Sequence, residues 1–370
     1  MPASLTHITN PKFRELCERI LKQMKRYKVP GVSIGVWNKG REYSMGFGMT
    51  NVRNPQPVTA DTLFQAGSIT KTVTGTMLMQ LMQQGKVDLD APVRRYIKDF
   101  KLRSKKAQKE ATVRDLLTHM GGWVGDYFND FGNGGDALAK MVNDISKLEQ
   151  AHPFRTLWSY NNVGFNVAAR IIEVVTNMSY EQAAQEMLFD PLELNMSFFY
   201  PDDILLTHRV AVGHQKVDNK VQIALPWAIG RAGNGVGGLI TTVKDLLKYA
   251  RFHMGKGSKK VITAKNLRAM RLPQVDAYGK GEMGITWFIK HIRNITIYGH
   301  GGATNGQRAY LFFIPDRDFA LAVLSNSDDG NMITSNIVSW ALEVYFNTST
   351  LTPTPIKTTP AERKKFAGRY

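Results

Sequence analysis

The 370-residue sequence contains a single cysteine, so no disulfide can form within the chain. Cys17 falls on the apolar side of a helical pattern, and we expect it in the core. No stretch approaches about 18 uninterrupted apolar residues, so no transmembrane helix is expected. The first 20 residues have no apolar signal core. We therefore expect a protein that stays in the cytoplasm or has lost a signal before this numbering begins.

Acidic residues are few compared with basic ones. The chain has 31 Asp and Glu against 48 Lys and Arg, a formal net charge of +17. Such a charge favours acidic partners such as nucleic acids. The basic residues are dispersed, however, and no zinc-finger or RNA-binding signature accompanies them. We interpret them as a solvated basic surface and expect no nucleic-acid partner.

Signals for a metal or a nucleotide are weak. The eight histidines show no HExxH or other ligand spacing. Gly233, Gly235 and Gly238 match the dinucleotide fingerprint Gly-x-Gly-x-x-Gly, which requires a strand before it and a helix opening inside it. Here the signal for a helix start comes only later, at Thr242-x-x-Asp245. We expect neither a metal nor a nucleotide cofactor.

The distribution of strand and helix patterns predicts the fold. Residues 31–37 and 41–48 indicate a hairpin, the segment from about 68 to 205 is mostly helical, and strand patterns return after about 284. The terminal segments 11–28 and 333–346 have helical patterns. This order predicts a mixed α/β fold of the α+β type. One antiparallel sheet, built from N- and C-terminal strands, is covered by the terminal helices and joined to a mainly helical lobe.

The same patterns suggest boundaries. We place the sheet lobe at about 10–65 and 280–348 and the helical lobe at about 66–279. A cleft between two such lobes is a favoured place for a ligand site. Residues 351–370 are rich in Thr and Pro and predict a linker or tail, as if another module could follow.

The segment Gly67-Ser68-Ile69-Thr70-Lys71 begins a helical run. A serine at a helix N-terminus presents its hydroxyl beside backbone N–H groups that can hold an oxyanion. Lys71, at i+3, faces the same side and becomes a base if burial lowers its pKa from about 10.4. The alternative is a capping serine with an exposed lysine, and the motif alone leaves both open.

A Tyr-x-Asn pattern occurs three times, starting at Tyr127, Tyr160 and Tyr345. Tyr345 falls inside the last predicted helix, and Tyr127 lies in a glycine-rich stretch that is a candidate for the cleft rim. Tyr160, followed by Asn162, lies at a loop-to-helix junction that would expose a hydroxyl and an amide together. We favour Tyr160. The alternative is an aromatic core residue with a capping asparagine.

The third motif is His300-Gly301-Gly302, next to a predicted strand. Consecutive glycines let a substrate approach the backbone closely. His300 would then lie beside the site, and the N–H group of Ala303 would be an oxyanion donor. The alternative is a glycine-rich hairpin turn.

In this order the three motifs resemble the serine β-lactamase and penicillin-binding-protein superfamily. The resemblance is greatest to its class C β-lactamase-like branch, which includes esterases and D-aminopeptidases. The segments "ATVRDLLTHMGG" and "GGLITTVKDLLKYA" are also similar to blocks of this superfamily, and the likeness covers about residues 12–346. It implies a β-lactamase/transpeptidase-like fold, with residues 1–350 forming a serine hydrolase domain.

The resemblance also implies roles. Ser68 would be the acylated nucleophile, and Lys71 and Tyr160 would share the general-base and general-acid work. Asn162 would orient Lys71 and the substrate. The backbone N–H groups of Ser68 and Ala303 would form the oxyanion hole. This route uses no cofactor.

One departure from the superfamily affects the expected substrate. His300 stands where β-lactamases and transpeptidases carry a lysine, and a neutral histidine offers little charge to a substrate carboxylate. Arg308 is a candidate replacement. We expect a hydrolase of small esters or amides, with carboxylic esters slightly favoured, and a small ester, amide or peptide as the substrate. The alternatives are a D-amino-acid-specific peptidase, a weak β-lactamase, or a non-catalytic ligand-binding or sensor protein on the same fold.

Overall fold

The computed structural model describes residues 5–227, 229–258, 260–349 and 358–364. The helices are α1 Pro11–Tyr27, α2 Thr70–Gln83, α3 Lys105–Glu110, α4 Val113–Leu117, α5 Ala137–Asp144, α6 Asn162–Thr176, α7 Tyr180–Ala184, α8 Asp190–Leu192, α9 Asn234–Gly237, α10 Val243–His253, α11 Ala264–Met270, α12 Asn331–Thr334, α13 Ile337–Phe346 and α14 Pro360–Lys364. In these described ranges, no helix combines the length and apolar character needed to cross a bilayer.

The strands are β1 Gly31–Asn38, β2 Arg41–Gly48, β3 Phe64–Gln65, β4 His214–Val217, β5 Lys220–Ile223, β6 Ile240–Thr241, β7 Val275–Asp276, β8 Glu282–Met283, β9 Phe288–Ile292, β10 Ile295–Thr304, β11 Gln307–Ile314 and β12 Phe319–Ser325. Within the described residues, eight of them form one antiparallel sheet in the order β2-β1-β12-β11-β10-β9-β8-β7. The first strand pairs with the last, with Ile34 opposite Val323. The predicted sheet built from the two ends of the chain is confirmed.

The terminal helices cover one face of the sheet. Helix α1 begins where the Asn10 side chain accepts a hydrogen bond from the Phe13 N–H, and Pro11 supplies a preset φ at the first helical position. Its apolar stripe, which includes the buried Cys17, joins the core formed with α13 and the sheet. Because this stripe has helical spacing, the sequence alone locates both the helix and its buried face.

Alternation along β12 gives the sheet a second buried face. Leu321 and Val323 pack with the terminal helices, whereas Ala322 and Leu324 belong to the other core. That core includes Leu247 of α10, whose Cδ1 would lie 2.9 Å from a Cβ on Gly35 of β1. A helix from the middle of the chain therefore covers the face that the terminal helices leave open.

Helix α2 lies in the centre of the helical part. Its residues from Thr70 to Leu81 are buried on all sides. A helix without a solvent face is one that other elements surround. Its buried threonines find hydrogen-bond partners inside the protein; Thr74 Oγ1, for example, lies 2.8 Å from the Tyr180 hydroxyl. The turn that precedes α2 is therefore held by a rigid support.

Two helix starts follow local sequence signals. Thr112 and Asp115 form a capping box at α4, and Thr242 Oγ1 accepts a hydrogen bond from the Asp245 N–H at α10. Both starts agree with the Thr-x-x-Asp pattern. In the predicted linker, residues 351–357 and 365–370 lie outside the described residues. The part between them contains α14, which the capping pair Thr359 and Glu362 begins.

Candidate active site

Ser68 lies in a 3₁₀ turn, Gly67–Ile69, that leads directly into α2. Gly67 has φ of +53°, a region that residues with a Cβ rarely adopt. A Cβ on Gly67 would also lie 2.5 Å from the amide nitrogen of Ala303 in β10. Ser68 is half-buried, whereas both of its chain neighbours are buried. The turn therefore presents the Ser68 hydroxyl at the surface of a tightly packed junction.

Lys71 lies directly beneath this hydroxyl. Its Nζ is 2.9 Å from Ser68 Oγ and donates to the carbonyl oxygen of Val236 at 3.0 Å. The residue has 0% exposed surface. The alternative of an exposed surface lysine is therefore wrong.

Burial changes the chemistry of Lys71. Desolvation lowers its pKa well below the ordinary value, and the charge of Asp126 offsets only part of this shift. The Nζ lies 5.1 Å from the ring centroid of Tyr160 and 5.7 Å from that of Phe165, so two aromatic rings adjoin it. A lysine in this environment favours its neutral form and has a lone pair that can take a proton.

His119 holds Tyr160 in place. The two rings lie 4.4 Å apart between centroids, at an interplanar angle of 31°. His119 Nδ1 accepts a hydrogen bond of 2.9 Å from the backbone N–H of Asn161, the next residue along. Sequence reasoning missed this contact. The signal was present, because His119 lies in the "LLTHMGG" segment, but the segment indicates family and not a role.

The phenol of Tyr160 is protonated in this environment. Burial raises its pKa above the ordinary value, and the nearby Ser68 hydroxyl counteracts only part of that shift. A protonated phenol beside the Ser68 hydroxyl is a hydrogen-bond donor and can serve as an acid.

The two asparagines after Tyr160 form different hydrogen bonds. Asn161 caps α6, since its Oδ1 accepts from the Gly164 N–H at 2.7 Å. Asn162 begins the helix, and its Nδ2 donates to Asp126 Oδ1 at 2.6 Å. We expected Asn162 to orient Lys71. The hydrogen bonds of Lys71 instead go to Ser68 and Val236, because the first turn of α6 directs the Asn162 amide towards the Asp126 loop.

His300 lies inside strand β10, so the alternative of a hairpin turn at this motif is wrong. Burial, and then the charge of Lys71, lower its pKa to about 3. Its Nδ1 is 2.6 Å from the carbonyl oxygen of Gly301, and this contact needs a hydrogen on Nδ1. His300 is therefore neutral, with its Nε2 lone pair buried and unpartnered among the described side chains.

Gly302 brings β10 against the nucleophile turn. A Cβ at this position would lie 1.8 Å from the carbonyl oxygen of Ala66 and 3.2 Å from the amide nitrogen of Ser68. At Gly301 the nearest contacts of the same atom would be looser, at 3.4 Å to the ring of Tyr310 and 3.8 Å to the carbonyl oxygen of Ala309. The second glycine of the motif is therefore the one that the close approach requires.

The other sequence candidates lie elsewhere. The Tyr127 hydroxyl is hydrogen-bonded to Asp144 of α5, and Tyr345 is buried in α13. Arg308 forms an ion pair of 2.8 Å with Asp328. Its charge is therefore already balanced.

The glycine-rich segment 233–238 has a packing role. A Cβ on Gly235 would lie 2.4 Å from that of Ala169 in α6, so the glycine allows α9 to approach α6 closely. The following strand, β6, pairs antiparallel with β3, which is not the parallel βαβ arrangement of a dinucleotide site. Across the described ranges, no cluster of three or more metal-binding side chains occurs.

A pocket of ≈ 320 Å³ opens beside the nucleophile turn. Gly237 forms part of its wall, and a Cβ there would lie 3.7 Å from the backbone of Gly67. Tyr200, Trp227 and Arg231 contribute further walls. Ser68, Lys71 and Tyr160 are not among the residues that line it, so the pocket adjoins the nucleophile turn without containing the candidate catalytic side chains.

Comparison with known proteins agrees with this geometry. The chain is 29% identical over 320 residues to penicillin-binding protein 4 of Amycolatopsis lactamdurans, covering 84% of each sequence. It is 24% identical to the unguisins hydrolase ungD' of Aspergillus campestris, covering 86% of this chain. The chain spans only 62% of the length of that hydrolase.

Solved structures share the fold. An octameric penicillin-binding protein homologue from Pyrococcus abyssi superposes with a TM-score of 0.80 at 25% identity, covering 90% of this chain and 77% of its own. SurE with D-Leu gives a TM-score of 0.77 at 25% identity, covering 94% and 79%. The family model described as Beta-lactamase matches residues 17–337. The chain therefore belongs to the Beta-lactamase family, within the superfamily of serine β-lactamases and penicillin-binding proteins.

Proposed function

We propose that this protein hydrolyses small esters or amides through an acyl-enzyme on Ser68. One observation carries the proposal: a half-buried serine hydroxyl lies 2.9 Å from the Nζ of a lysine with 0% exposed surface. A structural lysine gains nothing from that position, because desolvation opposes its charge. A nucleophile, in contrast, needs a neutral base within hydrogen-bond distance.

In the acylation step, Ser68 Oγ attacks the substrate carbonyl carbon while its proton passes to Lys71 Nζ. The carbonyl oxygen gains the negative charge. The amides of Ser68 and Ala303, which the close approach at Gly302 brings together, are the proposed donors for it. Losing one such donor typically costs about 3 kcal/mol of transition-state stabilisation.

The bond to the leaving group then breaks, and the leaving atom takes a proton. Tyr160 is the proposed donor, because its phenol is protonated and lies beside Ser68. The proton held by Lys71 can restore the phenol. In deacylation a water attacks the acyl carbon and gives a proton to Lys71, which returns that proton to Ser68 Oγ as the acyl–oxygen bond breaks and the acid is released.

Carboxylic esters are the first substrates to test. Efficient β-lactam hydrolysis is not proposed, since the neutral His300 supplies no fixed charge for a substrate carboxylate. Peptides of D-amino acids are the second candidate. The support is the similarity to SurE, whose structure holds D-Leu.

A fluorophosphonate probe and p-nitrophenyl esters test the proposal. We expect wild type to be labelled on Ser68 and to turn over the ester, and Ser68→Ala to lose both. Ser146→Ala is the matched control, because Ser146 is an exposed serine away from these motifs. Equal turnover by wild type and Ser68→Ala would remove Ser68 from the mechanism. A non-catalytic binder would instead show no labelling and salt-sensitive retention on heparin.

A further inference from the structure

The positive charges near the site are unevenly placed. His300 is neutral, and Arg308 is paired with Asp328. Lys280 is exposed, and its Nζ lies 5.3 Å from the ring centroid of Trp158. Because the Trp158 ring packs against that of Phe288 in β9, this cation belongs to the side of the site formed by the sheet.

A negative charge lies beside the start of α6. Asp126 is exposed, and no Lys, Arg or His nitrogen of the described chain lies within 4.0 Å of its carboxylate. Its loop is clamped to the catalytic segment, since the N–H groups of Asn162 and Val163 both donate to the Gly125 carbonyl at 3.0 Å. A Cβ on Gly125 would lie 2.6 Å from the carbonyl oxygen of Tyr160. Asp126 therefore has a fixed place beside Tyr160.

The Asn162 amide orients the carboxylate. Its Nδ2 donates to Oδ1 of Asp126 at 2.6 Å, and within the described part of the chain the second carboxylate oxygen has no protein donor. The same carboxylate acts electrostatically on both Lys71 and Tyr160. A carboxylate held in this way, with no cation of its own, is suited to a charge-assisted hydrogen bond from a ligand.

We propose that Asp126 and Asn162 form a subsite for a substrate ammonium group next to the acyl carbon, so that the preferred acyl group is an α-amino acyl group. The proposal rests on acylation of Ser68. It assigns Asp126 a role in specificity and not in proton transfer. It also gives a purpose to Asn162, whose amide holds the carboxylate and not Lys71.

Two boronic acids test the subsite without a leaving group. A boronic acid adds to the serine hydroxyl and mimics the tetrahedral intermediate. (1-Aminoethyl)boronic acid and isopropylboronic acid have the same shape, and only the first carries an ammonium group. The quantity to compare is the ratio of their dissociation constants, measured by calorimetry at pH 7. Differences in intrinsic reactivity are common to all variants, so they cancel when ratios are compared.

We expect the preference of wild type for the amino compound to fall about tenfold in Asp126→Asn, which keeps the shape and removes the charge. Asp130→Asn is the matched control. Asp130 is an exposed carboxylate of the same loop, where it accepts from the Gly132 N–H, and its variant should keep the wild-type ratio within twofold.

The outcomes separate the two proposals. An unchanged ratio in Asp126→Asn, with both boronates still bound to Ser68, overturns the ammonium subsite and leaves the hydrolase intact. An equal loss in Asp126→Asn and Asp130→Asn also overturns it, because a general charge effect would then explain the preference. If both boronates bind wild type no better than Ser68→Ala, the acyl-enzyme function fails, and the subsite fails with it.

Discussion

The Nζ of Lys71 lies 2.9 Å from the Oγ of Ser68, and the lysine is fully buried while the serine is not. This arrangement places a base of lowered pKa under a nucleophile that a substrate can reach.

Replacing the lysine separates activity from stability. Lys71→Met should lower kcat/KM about 100-fold or more, because it removes the proposed base, whose Nζ is hydrogen-bonded to Ser68 Oγ. The free energy of unfolding at pH 7 should rise, since the unfolded chain charges its lysine freely and the folded protein opposes that charge. Ester turnover and urea denaturation measure the two effects. Lys86→Met, at an exposed position, should change neither. A loss of activity below threefold would exclude Lys71 as the base.

The pH dependence of kcat/KM should reflect the titration of Lys71. The active form has neutral Lys71, so kcat/KM should rise with pH through the lowered pKa of that group and reach a plateau below its ordinary value. The activity should fall again only above the ordinary pKa of tyrosine, because burial raises the pKa of Tyr160. His300, with a pKa of about 3, should not shape this range. The acid limb should therefore stay in place in His300→Gln, and its displacement by more than one pH unit would assign the limb to His300.

Removing the Tyr160 phenol should slow hydrolysis most for substrates with poor leaving groups. Tyr160→Phe should lower amide hydrolysis about 100-fold and p-nitrophenyl ester hydrolysis much less, because p-nitrophenolate leaves without a proton. Tyr127→Phe is the control, since Tyr127 starts another Tyr-x-Asn sequence but bonds to Asp144. Equal losses on both substrates would argue against an acid role for Tyr160.

His119 should influence catalysis by holding Tyr160 in its position. His119→Phe keeps a ring against Tyr160 but leaves the buried N–H of Asn161 without its acceptor. The cost to stability should be about 1–3 kcal/mol. We also expect a lower kcat, because Tyr160 loses its alignment. Urea denaturation and ester kinetics measure these effects, and His291→Phe at the surface should alter neither. Unchanged stability and kcat would show that the contact is dispensable.

The two glycines after His300 should differ in their tolerance of a methyl group. Gly302→Ala would place a Cβ 1.8 Å from the Ala66 carbonyl, so the nucleophile turn must move and labelling of Ser68 should be lost. In Gly301→Ala the nearest atom to the new Cβ would be in the Tyr310 ring, at 3.4 Å, so this variant should keep most of its activity. Labelling rates and circular dichroism of both variants make the comparison. Similar rates would mean that β10 does not need its close approach to Ser68.

Local signals in the sequence located several elements correctly. The capping pairs at Thr112 and Thr242 begin their helices as expected, and the apolar stripe of α1 buries Cys17. A comparable signal was missed at Thr359-Pro360-Ala361-Glu362, which begins α14 inside a segment interpreted as a linker. These features depend on residues a few positions apart, and such short-range geometry can be inferred without a fold.

Chain order, together with family resemblance, also identified Ser68, Lys71, Tyr160 and His300 as candidates. The burial and the protonation states of these side chains, however, depend on residues far away in the sequence. Lys71 is buried because α6, α9 and the Val236 carbonyl close around it, and His300 is neutral because β10 lies inside the sheet and next to Lys71. The same holds for Asn162, whose partner is set by the loop at Gly125 and not by its own motif. Motif spacing is a property of the chain, whereas desolvation and hydrogen-bond partners are properties of the surroundings that only folding assembles.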